Sequence, residues 1–478
     1  MVREGSNNEP TRPLPAISHI PKPLEELMSL RLKLRPLAAA AALACVSLSA
    51  HATNGYFLPG FGVQSMSMGG TGIASGTDSL SAGTNPANLS WVGMRGDFDF
   101  ILFNPNRYAK VGPSVYGFGT PNNQYEKSGD SLFEFPNLGF AMPLTDRLSV
   151  GVAFLANGGM NTTYNPNFYG NYASNASRPP NSTIGVDLMQ LLIPLSVSFK
   201  PTETQSVGFS LIPAVQRFRA RGLENFVSFG LSSDPQHVTG QGAQLSYGFG
   251  ARVGWIGHFV DNKVDLGATY STKIYMSKLG GYKGLFAGGG SFDIPANYGV
   301  GLALHPTKQW TLAFDITRIM YADVPAVGNL GPGYNNTNPN ILTMSNFVNP
   351  VCANSPYCLG LPDGLGFGWK NQTVYKFGLA YQLNQQWTVK AGYNYGHSPI
   401  PNNQITFNEL APATVERHYS AGFTWKSPSS PLEVSGFYMR VPSHEQCGTN
   451  LQVVGEACFK MDQNYLGVSL GWDLGGGN

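Results

Sequence analysis

Three arginines, Arg217, Arg219 and Arg221, stand at i, i+2 and i+4, so in an extended strand they share one face opposite Phe218 and Ala220. Turned toward an enclosed lumen, such a ladder could hold a ligand carboxylate by charge-assisted hydrogen bonds. Turned outward near a membrane rim, it would hold the phosphates of surface lipid. Beyond Cys45, four cysteines fall in two near pairs, Cys352 with Cys358 and Cys447 with Cys458. Two local disulfides are their simplest pairing in an oxidising compartment. Only His444 lies near either pair, so metal binding is the minor reading and no metal site is expected. Gly467-Val468-Ser469-Leu470-Gly471 matches the hydrolase G-x-S-x-G pattern, which requires a strand, a sharp turn and a helix. Here it sits inside an alternating run, where chance accounts for it. His237, His258, His305, His397 and His418 form no triad or metal spacing, and no Walker-type loop is present. Neither a cofactor nor an enzymatic activity is expected.

The elements that must position these residues are strands. Charged residues make up 12% of the chain and aromatics 12%, with 58 glycines and a mean hydropathy of -0.12. Soluble proteins carry roughly 25% charge, a helical membrane protein would show long apolar runs, and a disordered chain would lack the aromatics. Strands in which every second residue meets lipid produce this composition. The net charge of +2 gives no reason to expect nucleic acid as a partner. From residue 96 onward the pattern has period two. It predicts strands over 96–109, 131–143, 147–158, 188–200, 205–221, 241–258, 263–275, 292–305, 309–320, 372–382, 386–397, 415–427, 431–441 and 463–474. In one of them Leu245, Tyr247, Phe249, Ala251, Val253 and Trp255 interleave with Gln244, Ser246, Gly248, Gly250, Arg252 and Gly254. A sandwich also alternates, but the connections here are alternately short (144–146, 201–204, 259–262) and long (159–187, 222–240, 321–371). That rhythm belongs to an all-β transmembrane antiparallel barrel of about fourteen strands, with both ends in the periplasm.

Leu37–Ala50 is too short to span a bilayer. With Arg31, Lys33 and Arg35 before it and Ala50-His51-Ala52 after it, the stretch is read as a secretory signal peptide cleaved after Ala52. Residues 1–52 are thus leader and signal peptide. Met28 is the expected start, and 1–27 are an over-extended frame or a disordered leader. A lipoprotein anchor at Cys45 is disfavoured by Ala42, where such a signal wants Leu. Residues 53–94 do not alternate. Their glycines surround Tyr56, Phe57, Leu58 and Phe61, which would be costly to leave in water. A plug inside the lumen, rather than a loose tail, would bury them, leaving 95–478 as the barrel.

Asn54–Leu89, NGYFLPGFGVQSMSMGGTGIASGTDSLSAGTNPANL, resembles the N-terminal hatch of the FadL-type (OmpP1/FadL/TodX) outer-membrane transporters of long-chain fatty acids and hydrocarbons. Asn85-Pro86-Ala87 matches their hatch motif, and Phe135–Met160 resembles their second and third strands. The resemblance implies a hatch-plugged barrel in a Gram-negative outer membrane. Ligand-gated, passive diffusion of a hydrophobic small molecule would end in lateral exit where the third strand is interrupted, at Ala156-Asn157-Gly158-Gly159. Two glycines ending the Val150/Val152/Phe154 alternation agree with a break there, unless they simply begin a loop. Asn85, Pro86 and Ala87 are expected to abut that opening and to gate it. Family position favours Arg221 as nearest the ligand. The implied partners are the ligand and the surrounding lipid and lipopolysaccharide, around a monomer. Alternatives from other classes are a barrel enzyme acting on lipids and a general porin.

Overall fold

Alternating residues need two unlike surroundings, and closing the strands into a barrel gives them an outer face and a filled lumen. A computed structural model describes residues 54–112, 120–169, 183–228, 230–331, 352, 356–405, 407–449 and 456–475. The expectations for 1–52 lie outside these. Seventeen hydrogen-bonded segments form one antiparallel sheet. They amount to fourteen spanning strands: β1 (Arg95–Val111), β2 (Phe133–Pro143), β3 (Leu148–Asn161), β4 (Gly185–Leu192 and Leu195–Thr202), β5 (Gln205–Arg221), β6 (Gln244–Phe259), β7 (Val264–Ser271 and Tyr275–Met276), β8 (Asn297–Leu304), β9 (Trp310–Ile319), β10 (Gln372–Gln382), β11 (Trp387–Gly396), β12 (Arg417–Lys426), β13 (Leu432–Thr449) and β14 (Glu456–Asp473). A two-residue spur, Glu126–Lys127, pairs beside β1. β14 pairs with β1 from Arg95↔Asp473 to Val111↔Ala457, so the sheet closes on itself and neither its first nor its last strand is left unpaired. Among the described residues no helix is long and apolar enough to cross a membrane.

The outward face carries exposed apolar side chains such as Val207, Phe209, Leu211, Val300, Phe377 and Val468. Toward the short turns Trp310, Trp387 and Trp472 ring this belt, and toward the long loops Tyr247, Tyr275, Tyr298 and Tyr375 do so. Aromatic girdles of this kind mark the two membrane interfaces. The inward face changes character along each strand. On β1 it runs Arg95, Asp97, Asp99 near the short turns, then Ile101 and Phe103.

The last two strands are longer than their alternation indicates. They reach Thr449 and start at Glu456, past a bulge between Val441 and His444. Cys447 and Cys458 therefore face each other across the ladder, not within a loop spanning 442–462.

Candidate functional site

Residues 54–92 fill the lumen. Their helical pieces are α1 (Gly62–Ser67), two 3-10 turns at Ser79–Gly83 and Pro86–Asn88, and α2 (Leu89–Val92). So short a segment cannot satisfy its own backbone, and the wall supplies what it lacks. Asp315 on β9 accepts from the N–H groups of Gly72 (2.8 Å) and Ile73 (3.0 Å). Asp99 on β1 accepts from Val63 N–H. Asp97 accepts from both the N–H and the hydroxyl of Ser79, at 2.9 and 2.6 Å. From the opposite charge, Lys376 on β10 donates to the carbonyls of Pro59 (2.7 Å) and Gly70 (3.2 Å). Lys390 donates to Gln64, whose amide donates in turn to Glu433 at 2.6 Å. Arg95 holds Asp97 at 2.6 Å and Glu433 at 3.3 Å. Asp78, in the hatch itself, is buried beside Asp97 and Asp99, and its carboxyl is held well above the usual range, burial contributing most.

The Asn85-Pro86-Ala87 motif has a local logic. Asn85 is extended and its Oδ1 caps the Ala87 N–H at 3.1 Å, while Pro86 needs no donor at the first position of the turn. The Asn85 amide donates to Ile73 O (2.8 Å) and Trp255 O (3.1 Å), tying the hatch to itself and to β6. Ser198 and Ser206 donate to Ala87 O at 3.2 and 3.0 Å. The wall is flat there because it must be: a Cβ on Gly254 would lie 1.8 Å from Asn85 Oδ1, and one on Gly208 2.4 Å from Ala87 N. The motif thus abuts β4, β5 and β6. It does not abut the interruption of the third strand, contrary to the expectation from the resemblance.

That interruption is real in the ladder. β2 and β3 pair from Pro143↔Ser149 to Leu138↔Phe154 and no further, while Phe133–Asn137 remain paired with β1. Beyond Phe154, β3 follows β4 from Leu155↔Leu192 to Asn161↔Asp187, with Asn157 as the extra residue of a bulge between Ala156 and Gly158. Gly158 has φ +140°, closed to most side chains. β3 continues through Gly159 to Asn161, so the glycines lie within the strand and do not begin a loop. The partner strand breaks too, at Ile193-Pro194, where Pro194 has no N–H to give. Asn137 on β2 reaches the Ala156 N–H at 3.0 Å, and Asn157 donates to Gln190 at 2.9 Å. On the long-loop side the gap is bounded where Gly129 N–H donates to Thr163 O at 2.8 Å and Thr163 donates to Asp130 at 2.6 Å.

The start of the hatch occupies the kink. Leu58 N–H donates to Asn157 O and Gly159 N–H to Tyr56 O, both at 3.1 Å, with Phe57 bridging Gly158 between them. Behind the gap lies an apolar cluster that includes Leu58, Ile101, Phe103, Phe133, Phe135 and Ala156. A larger one fills the lumen toward the long loops, where Tyr56 packs on Tyr321 and Trp369. Sequence reasoning missed Tyr56–Leu58 as the residues at the kink. It also missed Pro194, although a proline inside an alternating run is itself a signal of a broken strand.

Arg217, Arg219 and Arg221 share their face of β5 with Val207, Phe209 and Leu211, while Gln216, Phe218 and Ala220 are buried inside. The ladder is on the outer wall above the apolar belt, so a lumenal carboxylate contact for it is corrected. Arg217 and Arg219 approach Asp187 at 2.7 and 3.8 Å, and Arg221 donates to Thr163. Cys352 is joined to Cys358 and Cys447 to Cys458, with Cα atoms 5.5 and 4.1 Å apart. Ser469 lies within β14 opposite Asp99, without the turn and helix its motif requires.

A closed barrel with an apolar outer wall, two aromatic girdles and a hatch in its lumen is a plugged outer-membrane barrel of the Gram-negative type. Residues 43–440 match the model of the outer membrane protein transport family (OMPP1/FadL/TodX), and the chain belongs to that family. Its fold is similar to that of a Pseudomonas aeruginosa FadL homologue (TM-score 0.63, 16% identity, 88% of this chain and 99% of that one). The P. putida toluene transporter TodX is similar as well (0.60, 17%, 88% and 100%), as is the Ralstonia pickettii toluene transporter TbuX (0.54, 16%, 87% and 98%). No curated protein matches the sequence.

Proposed function

We propose that the barrel is a passive, ligand-gated channel through which hydrophobic compounds, long-chain fatty acids or hydrocarbons, leave the lumen sideways through the wall. Family membership supports transport of hydrophobic compounds, and relatives of the same fold are toluene transporters. The observation that carries the lateral route is the end of the β2–β3 ladder at Leu138↔Phe154, backed by apolar side chains. A greasy solute in a water-filled pore would stay exposed to water throughout. A path lined by Leu58, Phe103, Phe133 and Phe135 and opening onto lipid spares it that exposure. Gating falls to Tyr56–Leu58, which close the kink by only a few backbone hydrogen bonds. Each is worth about 1 kcal/mol net, because water can replace it. Asn85, Pro86 and Ala87 act at a distance, as the anchor that keeps the hatch in register while its other end moves. Outside, Arg217, Arg219 and Arg221 hold phosphates of lipopolysaccharide around a monomeric barrel.

Deleting Asn157 tests the route. Without the extra residue, β3 can continue its pairing with β2 and seal the wall. Uptake of a labelled fatty acid or of toluene should then fall about tenfold or more, as expected when a required path closes, with the barrel still heat-modifiable on a gel. Unchanged uptake would remove lateral exit from the mechanism.

A further inference from the structure

The arginine ladder borders the gap in the wall. Arg217 is in register with Leu245, one outward position beyond the pair Val215↔Tyr247, and Tyr247 belongs to the girdle on the long-loop side. Arg217, Arg219 and Arg221 therefore stand at head-group depth, half-buried against their own wall. Across β4, Arg217 and Arg219 share a single carboxylate, Asp187, at 2.7 and 3.8 Å. Among the described residues no carboxylate lies within ion-pair distance of Arg221, which donates to the hydroxyl of Thr163. The ladder thus carries more positive charge than its own wall neutralises.

Thr163 is where the gap closes on the long-loop side. Its carbonyl accepts from Gly129 N–H at 2.8 Å, its N–H donates to Ser128 at 3.0 Å and its hydroxyl donates to Asp130 at 2.6 Å. These bonds tie the segment before β2 to the end of β3 across the opening. Gly185, the register partner of Arg221, stands between that arginine and Thr163 without a side chain, and a Cβ there would lie 1.9 Å from Thr162 O. Arg221 thus crosses β4 to reach the closing point. A hydroxyl that accepts from a cation is a better donor, so Arg221 strengthens the bond from Thr163 to Asp130.

We propose that phosphates of outer-leaflet lipopolysaccharide, seated on Arg217, Arg219 and Arg221, release this latch and so favour lateral opening. A phosphate oxygen is a stronger acceptor than a neutral hydroxyl, and a guanidinium meets two such oxygens at once. Arg221 exchanges Thr163 for the phosphate, while Asp187 keeps Arg217 and Arg219 in place. Thr163 is left with a weaker hold on Asp130, and the surrounding lipid sets how readily the wall parts. The latch adds a regulator to the lateral-exit reading and rests on it.

The test places the full-length protein in bilayers of lipopolysaccharide and of the same lipid stripped of its phosphates. Deuterium exchange at the Gly129 amide reports the latch. Wild type should exchange about fivefold faster with the phosphates present, the effect of losing one net hydrogen bond. Arg221→Met should exchange fast in both lipids, and Arg217→Gln with Arg219→Gln slowly in both, with heat-modifiability reporting that each variant is folded. Uptake of toluene, a neutral probe, by cells whose lipid A carries or lacks phosphates should follow the same order. Equal exchange of wild type in the two lipids, or an Arg221→Met protein that still responds to the phosphates, overturns the latch. Inorganic phosphate acting as well as the lipid also overturns it, because the occupant is then a free ion. An unresponsive wild type whose uptake the Asn157 deletion still blocks removes the latch alone. Uptake untouched by that deletion removes the lateral route and the latch with it.

Discussion

The two halves of the lumen are built on opposite principles. Toward the short turns and at mid-strand the hatch is held by Asp97, Asp99, Asp315, Lys376, Lys390 and Glu433, nearly all acting on hatch backbone or on one another. Toward the long loops Tyr56, Phe226, Phe292, Tyr321, Trp369 and Phe407 belong to one continuous apolar core. The difference bears on movement. Hydrogen bonds to a polar wall can be exchanged for bonds to water, so a hatch seated by them can shift without exposing greasy surface. An apolar half cannot be wetted cheaply, so it stays packed while the seat shifts and gives a hydrophobic solute somewhere to go.

The contrast breaks most visibly at Asp315. Asp315→Ala leaves two hatch N–H groups without acceptors and Lys376 without its nearby carboxylate, which should loosen the hatch by about 3–5 kcal/mol, as for other broken buried pairs. Planar-bilayer recordings should show ion conductance far above that of wild type, with faster deuterium exchange at Gly72 and Ile73. Wild-type conductance would mean that the wall carboxylates do not seat the hatch. Trp369→Ala sharpens the other side. Trp369 is fully buried, packs on Tyr56 and Tyr321, and donates to Asn408 at 2.6 Å. Its truncation should cost about 3–5 kcal/mol by cavity formation. It should lower the thermal midpoint without opening an ion path, since the polar seat is untouched. New conductance in Trp369→Ala would erase the distinction between the halves.

The wall was legible because its physics is local. Lipid on one side forces the alternation, and Leu245 through Trp255 state it without help from the rest of the fold. Loop rhythm then supplied the strand number. The site was legible only in part, since its decisive features are set by partners distant in sequence. Nothing near Tyr56–Leu58 announces pairing with Asn157 and Gly159, about a hundred residues on. The arginine ladder could be placed on one face but not assigned a side, because positions just above the apolar belt tolerate polar residues on both.

The smallest expected effect concerns how firmly the polar half holds at different pH. Asp78 sits among Asp97 and Asp99, with Arg95 and Lys390 as the opposing charges, and its carboxyl is raised well above the ordinary value, burial first. A raised carboxyl favours the protonated form in the folded state. The stability tied to it is full below the unfolded value of about 4 and is lost as pH rises through the folded value. The hatch should therefore seat most firmly in acid and loosen as pH rises. Asp78→Asn keeps the oxygen that accepts from Ser81 N–H at 2.8 Å but cannot ionise. Once corrected for the intrinsic rate, deuterium exchange of the hatch amides should quicken with pH in wild type and stay flatter in the variant. Identical pH profiles in the two proteins would show that Asp78 does not titrate with hatch seating, and would leave the fixed pairs at Asp315 and Lys376 as what holds the polar half.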